Sequence, residues 1–180
     1  KVCGSSLKAV MIAATEIRAG VSELVVAGGM ESMTNSPRFI RDARRGEDVS
    51  YKSLVSVLSF DGLTDAYTGE LMGNTGETCA LEFGISREES DVYSLRSHKL
   101  SFDAWENGWI GSECVSMEEL SIDEGIRQDA DMSNLVSLKP VFSKDGQVTA
   151  GNASQVSDGA SAVLVASEKV AVEMGLPILA

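Results

Sequence analysis

KVCGSSLKAVMIAATEIRAGVSELVVAGG, residues 1–29, carries three signals in a row. Leu7, Val10, Met11, Ala14 and Ile17 fall at helical spacing, which predicts a helix from Ser5 to Ala19 stopped by Gly20. Glu23–Ala27, ELVVA, is short, apolar and β-branched. It reads as a strand buried on both faces and ended by Gly28-Gly29. Helix, buried strand and glycine pair together are a piece of an α/β layered sheet. Cys3 stands just ahead of them. With the helix starting near Gly4–Ser6, free backbone N–H groups and the positive end of the helix dipole face its sulfur. That setting favours thiolate, the strong nucleophile for acyl transfer. The other reading of Cys3 is a small, inert packing residue.

The bulk of the 180-residue chain fits an ordinary globular domain, 43% hydrophobic and 23% charged. Its net charge of −12 argues against general binding to nucleic acid or anionic membrane, both polyanions. No apolar run nears the roughly 20 residues of a membrane span, and no basic-then-apolar leader opens the chain. Cys3, Cys79 and Cys114 are widely spaced and odd in number, which argues against a disulfide framework or a cysteine zinc site. Cys79 and Cys114 are expected to be packing residues. His98 is the single histidine, so no His-based metal site is expected; it is predicted to be solvated on a polar helix face. A reduced, intracellular compartment follows, cytoplasmic by default. Lys1 at the start, and Gly175–Ala180 reading like a turn into a new strand, raise the expectation that the chain is part of a longer one.

The pattern changes at 33 and returns near 147, which predicts an insertion, 33–146, between two pieces of one sheet domain, 1–32 and 147–180. Arg38, Arg41, Arg44, Arg45 and Lys52 make a basic stretch there. Ser86-Arg-Glu-Glu89 is a capping box that opens a helix to about Asn107, stopped by Gly108. Cys114–Leu120 reads as a strand and Asp123–Asn134 as loop. In VTAGNASQVSDGASAVLV, residues 148–165, small residues at Ala150, Gly151, Ala153 and Ser154 let a ligand approach the backbone. Asn152, Ser154 and Ser157 can hydrogen-bond such a ligand or cap a helix. A ligand-free turn and cap is the alternative. A short strand or turn over Gln147–Ala150, a helical turn to Gly159, a fully buried strand at Ser161–Ser167 and a helix at Glu168–Met174 stopped by Gly175 are predicted.

Taken together, KVCGSSLKAVM, VVAGGMESM, DGLTDAY, MGNTGET, GISREESD and VTAGNASQVSDGASAVL resemble the thiolase family, in its acetyl-CoA acetyltransferase branch, in order and spacing. The resemblance implies a partial layered αβαβα thiolase fold with an inserted helix-and-loop subdomain that covers coenzyme A. It implies that Cys3 is the nucleophile that takes up the acyl group as a thioester. Met72 and Leu63 match residues of the pantetheine pocket. Ala150 and Ser154 match the stretch that holds the pantetheine arm. Arg127 matches an arginine near the nucleotide end of CoA, where a guanidinium suits phosphate or adenine. Coenzyme A and acyl-CoA are then substrates, with no metal or redox cofactor, and the complete protein is a homodimer or homotetramer.

Leu71 stands where many biosynthetic members have His, and Gly76 and Thr78 where Ala and Asn are common. The family's GHP, NEAF and CGG motifs do not occur in these residues, so the resemblance implies roughly the middle half of a thiolase, inactive by itself. A ketosynthase-like condensing enzyme and a noncatalytic CoA-binding scaffold are the alternatives.

Overall fold

The computed structural model describes residues 1–41, 44, 54–117 and 120–180. Arg45 and Lys52 of the basic stretch, and Glu118 and Glu119 of the expected strand, lie outside them. The described residues of Lys1–Leu58 and Val156–Ala180 form one compact unit, and Ser59–Gln155 a second.

The first unit is built on α1 (Ser5–Arg18) and a two-stranded antiparallel sheet of β1 (Leu24–Ser32) and β4 (Asp158–Ala166). The helix stops where the sequence predicts. Gly20 takes φ +71°, its N–H reaches Ile17 O and the Val21 N–H reaches Glu16 O. This is a Schellman closure, which needs a left-handed residue at that point. The same double bond closes α3 (Arg87–Glu106) at Gly108 and α5 (Glu168–Glu173) at Gly175. Ala13 of α1 is buried, whereas Leu7 and Met11 of the expected apolar face are exposed.

Three expectations for the sheet are corrected. The strand does not end at Gly28-Gly29; β1 runs through both to Ser32. The glycines serve close approach instead. A Cβ at Gly28 would lie 2.1 Å from Ser161 O, and one at Gly29 would lie 2.8 Å from the Ser6 Cβ of α1. The two strands are not buried on both faces either: Ala27 is buried, but Val26, Met30, Val163 and Leu164 are exposed. With two strands in the sheet, each has an edge without a ladder partner among the described residues. Finally, Asp158 and Gly159 belong to β4 rather than to a helical turn. Asp158 closes the register opposite Ser32, accepting from Ser32 Oγ (2.9 Å) and Thr34 N–H (2.8 Å).

Two short strands, β2 (Arg38–Ile40) and β3 (Leu54–Ser56), pair antiparallel in the same unit. The Val57 N–H binds Pro37 O beside them. That pairing keeps residues beyond 33 with the first compact unit, which runs to Leu58.

The second unit carries α2 (Met72–Phe83), α3 (Arg87–Glu106) and α4 (Met132–Ser137). The Ser86–Glu89 capping box is formed in both directions: Glu89 N–H donates to Ser86 Oγ (3.1 Å), and Ser86 N–H donates to Glu89 Oε2 (2.7 Å). Asp131 caps α4 from within the stretch expected to be loop, accepting from the Asn134 N–H. Cys114–Val115–Ser116 is not strand; Met117 and Leu120 bridge each other as an isolated pair. Residues 147–155 stay in this unit because Glu77 accepts from the N–H groups of Gln147 (2.7 Å) and Val148 (3.0 Å). Thr149 bridges Pro140, and the Val141 N–H binds Val148 O. The second compact unit accordingly runs to Gln155.

Candidate functional site

In the first unit, Cys3 lies in a single 3-10 turn, Val2–Gly4, that runs directly into α1. Gly4 is the N-cap residue of the helix and provides no side chain to cover the N–H groups of its first turn. Val2 has φ +49°, a left-handed conformation uncommon for a β-branched residue, so the backbone just ahead of Cys3 is strained. The sulfur is exposed. Cys79 and Cys114 are also free and exposed, which corrects their expected role as packing residues. Exposure therefore does not single out Cys3; its place at the opening of a long helix does.

In the second unit, a cavity of about 630 Å³ is walled by α3, by α4 and by two loops around 123–130 and 150–155. Three expected site residues, Arg127, Ala150 and Ser154, line it together. His98 joins them, which corrects its expected solvated position. It is half-buried, and its Nδ1 accepts the Arg127 N–H at 3.3 Å. Asn152 also borders the cavity, but its amide is already engaged on three sides. It donates to Asp91 Oδ1 (3.0 Å) and Gln147 O (2.9 Å), and accepts the Thr149 N–H (2.8 Å). Of the groups expected to meet a ligand, Asn152 is thus turned to the protein, while Ser154 remains exposed at the wall.

Leu63 and Met72, which are not among the residues lining the cavity, are brought together in this unit. Met72 N–H donates to Leu63 O at 2.8 Å, and Thr64 bridges Leu71. The loop between them is tied by Asp65, whose Oδ1 accepts the N–H groups of Tyr67 (2.9 Å) and Thr68 (2.7 Å). Those bonds, from Thr68 first, hold the Asp65 carboxyl below its ordinary range. Next to Met72, Gly73 lies so close to the Phe142 ring that a Cβ there would be 2.1 Å from it.

The model of the thiolase N-terminal domain matches residues 1–169. The chain belongs to the thiolase family. Among curated relatives, a probable acetyl-CoA acyltransferase of Staphylococcus aureus is 40% identical over 189 aligned positions, covering 100% of this chain and 48% of the relative. The chain thus spans about half the length of the curated relatives it matches. Among solved thiolase-family structures, human mitochondrial 3-ketoacyl-CoA thiolase in complex with CoA superposes with a TM-score of 0.87 at 35% identity, over 97% of this chain and 45% of that one. The Bacillus anthracis acetyl-CoA acetyltransferase does so with a TM-score of 0.87 at 39% identity, over 97% and 46%. The fold is accordingly part of the layered thiolase fold.

Two features of this thiolase chain escaped the sequence reading. The buried Asp91–Asn152 contact joins residues 61 apart, and no local pattern signals it. A signal for His98 was present: it stands on the same side of α3 as Tyr93, Ser94, Ser97 and Ser101, which line the same cavity. That i, i+3/i+4 row is polar, and so reads as a solvated face.

No helix among the described residues is long and apolar enough to cross a membrane.

Proposed function

We propose that the complete protein is an acyl-CoA C-acyltransferase of thiolase type and that this chain supplies its nucleophile and its CoA-holding loops. One observation carries the reading. The family match runs unbroken through both the helix-opening turn of Cys3 and the cavity lined by Arg127, Ala150 and Ser154. The human relative of like fold is in complex with CoA, which supports CoA and acyl-CoA as the substrates. In this reading Arg127 meets the anionic nucleotide end, Ala150 and Ser154 hold the pantetheine arm, and Met72 with Leu63 beside it lines the pantetheine pocket. The segment 33–146, between the sheet pieces 1–32 and 147–180 of the N-terminal thiolase domain, serves as the cover over CoA. A homodimer or homotetramer in a reducing, intracellular compartment fits the family resemblance and the three free thiols.

In the cleavage direction, the Cys3 thiolate adds to the C3 carbonyl of a 3-ketoacyl-CoA. The C2–C3 bond breaks, and its electron pair leaves on acetyl-CoA as an enolate that takes a proton. The acyl group stays on Cys3 as a thioester. The thiolate of a second CoA then attacks that thioester and releases acyl-CoA and free Cys3. The proton transfers call for a base and an acid, roles the family resemblance gives to motifs outside these residues. Synthesis is the reverse.

Acetyl-CoA added to the full-length protein, followed by acid quench and peptide mass mapping, tests the assignment. One acetyl group on the Cys3 peptide is expected. Turnover with the acetyl group on Cys79 or Cys114 would overturn it. Acylation from carrier-protein thioesters but not from acyl-CoA would identify a ketosynthase-like enzyme instead, and CoA binding without acylation would identify a scaffold.

A further inference from the structure

Asp91 is wholly buried on α3, far along the chain from any residue with an expected role in the chemistry. A buried carboxylate is retained only when each oxygen is matched by a donor. Here Oδ2 takes Arg87 Nε at 2.7 Å, and Oδ1 takes Asn152 Nδ2 at 3.0 Å. The same guanidinium then spans outward, its Nη2 donating to Leu135 O (2.6 Å) and Leu138 O (3.1 Å) at the end of α4. The same Asn152 holds its own loop, through Gln147 O and the Thr149 N–H. Gly151 fits against α4 so closely that a Cβ there would lie 2.5 Å from Leu135 Cδ2 and 2.6 Å from Leu138 Cδ1. Three walls of the cavity, from α3, α4 and the 150–155 loop, are therefore joined at one buried carboxylate.

We propose that Asn152 is a positioning residue: matched to Asp91 and Arg87, it fixes the loop carrying Ala150 and Ser154 and so sets affinity for the CoA moiety. The inference rests on the reading of this cavity as the CoA site. The side-chain type follows from the three groups it meets. The Asp91 carboxylate and the Gln147 carbonyl each require a donor, and the Thr149 N–H requires an acceptor. An amide offers both from one terminus. An aspartate at 152 would accept from Thr149 but face Asp91 with like charge. A serine is too short to reach all three. Asn152 touches no reacting atom in this scheme, so its loss weakens binding more than it slows chemistry.

The test uses the full-length enzyme with acetyl-CoA and follows kcat and KM separately, with equilibrium binding of free CoA as a second readout. Asn152→Asp removes the donor to Asp91 and the donor to Gln147 O and sets like charge beside the buried carboxylate; it is expected to raise KM and the CoA dissociation constant at least about 10- to 100-fold, with a smaller effect on kcat. The exchanged pair Asp91→Asn/Asn152→Asp restores one donor facing one acceptor and should recover part of that loss. If Asn152→Asp does not fold, Asn152→Ser gives the same readout with no added charge. An unchanged KM and CoA affinity in a folded variant, or an exchanged pair as weak as Asn152→Asp, overturns the inference. Wild-type enzyme that shows no affinity for CoA removes the underlying reading, and this inference with it.

Discussion

Backbone pairing holds the unit of Lys1–Leu58 and Val156–Ala180: β1 and β4 pair along nine residues each, yet Val26 is 72% and Met30 78% exposed. In Ser59–Gln155 the balance is reversed. Its helices and loops are tied by side-chain bonds to backbone, through Glu77, Arg87 and Asn152, and its most buried residues are the polar Asp91 and Thr149. The contrast teaches that an apolar run announces a strand but not its cover, and that a polar stretch is not for that reason a solvated one. An exposed side chain on β1 such as Val26 can change at little cost because it leaves little water-free surface behind. A side chain in the polar network cannot, because each partner it abandons remains buried.

Arg87→Leu should cost most. It strips a buried carboxylate of its cation and two carbonyls of their donor, about 3 kcal/mol at the lower end for a broken buried pair. Amide exchange should speed up in α3 and the 147–152 loop and not in β1 and β4; equal loss in the sheet would break the contrast. Leu135→Ala, at a buried site on α4, should lower stability by about 2–4 kcal/mol. Val26→Thr on β1 should stay within about 0.5 kcal/mol. Matching urea midpoints for these two variants would show that β1 is covered by more than this chain. Ser86→Ala removes one half of the capping box and should cost about 1 kcal/mol, visible as fraying of the first turn of α3.

Acid should act on both units by one mechanism. The Thr34 N–H and then the Ser32 hydroxyl hold the Asp158 carboxyl below its ordinary range. The Ser86 N–H does so for Glu89, and the Ser133 hydroxyl and Asn134 N–H for Asp131. A carboxyl lowered by folding contributes stability above its unfolded pKa and loses it as pH falls through the folded one. Stability should therefore be level at neutral pH and decline from the ordinary carboxylate range downward. Carboxyl-carbon NMR titration should place these three midpoints below those of free carboxylates. Asp158→Asn should flatten the acid response of the β1–β4 unit and leave that of α3 unchanged. These groups are exposed, so this effect is the smallest.

What the sequence by itself determined is local. The capping box at Ser86 and the helix stops at Gly20, Gly108 and Gly175 could be read because their donors, acceptors and backbone angles lie within a turn of one another. The position of α1 followed from periodicity, β1 and β4 were announced by apolar runs shorter than the strands, α5 by its glycine stop, and the family followed from motifs in order. The tertiary structure alone decided the rest. It paired Leu24–Ser32 with Asp158–Ala166, whose innermost partners, Ser32 and Asp158, are 126 residues apart, and left their apolar faces largely open. It brought His98 to Arg127 and turned Asn152 inward to Asp91. Each of these depends on which distant group meets a given face. A hydrogen-bond donor has the same type in sequence whether it meets water, a ligand or a buried carboxylate; only the packed chain selects its acceptor.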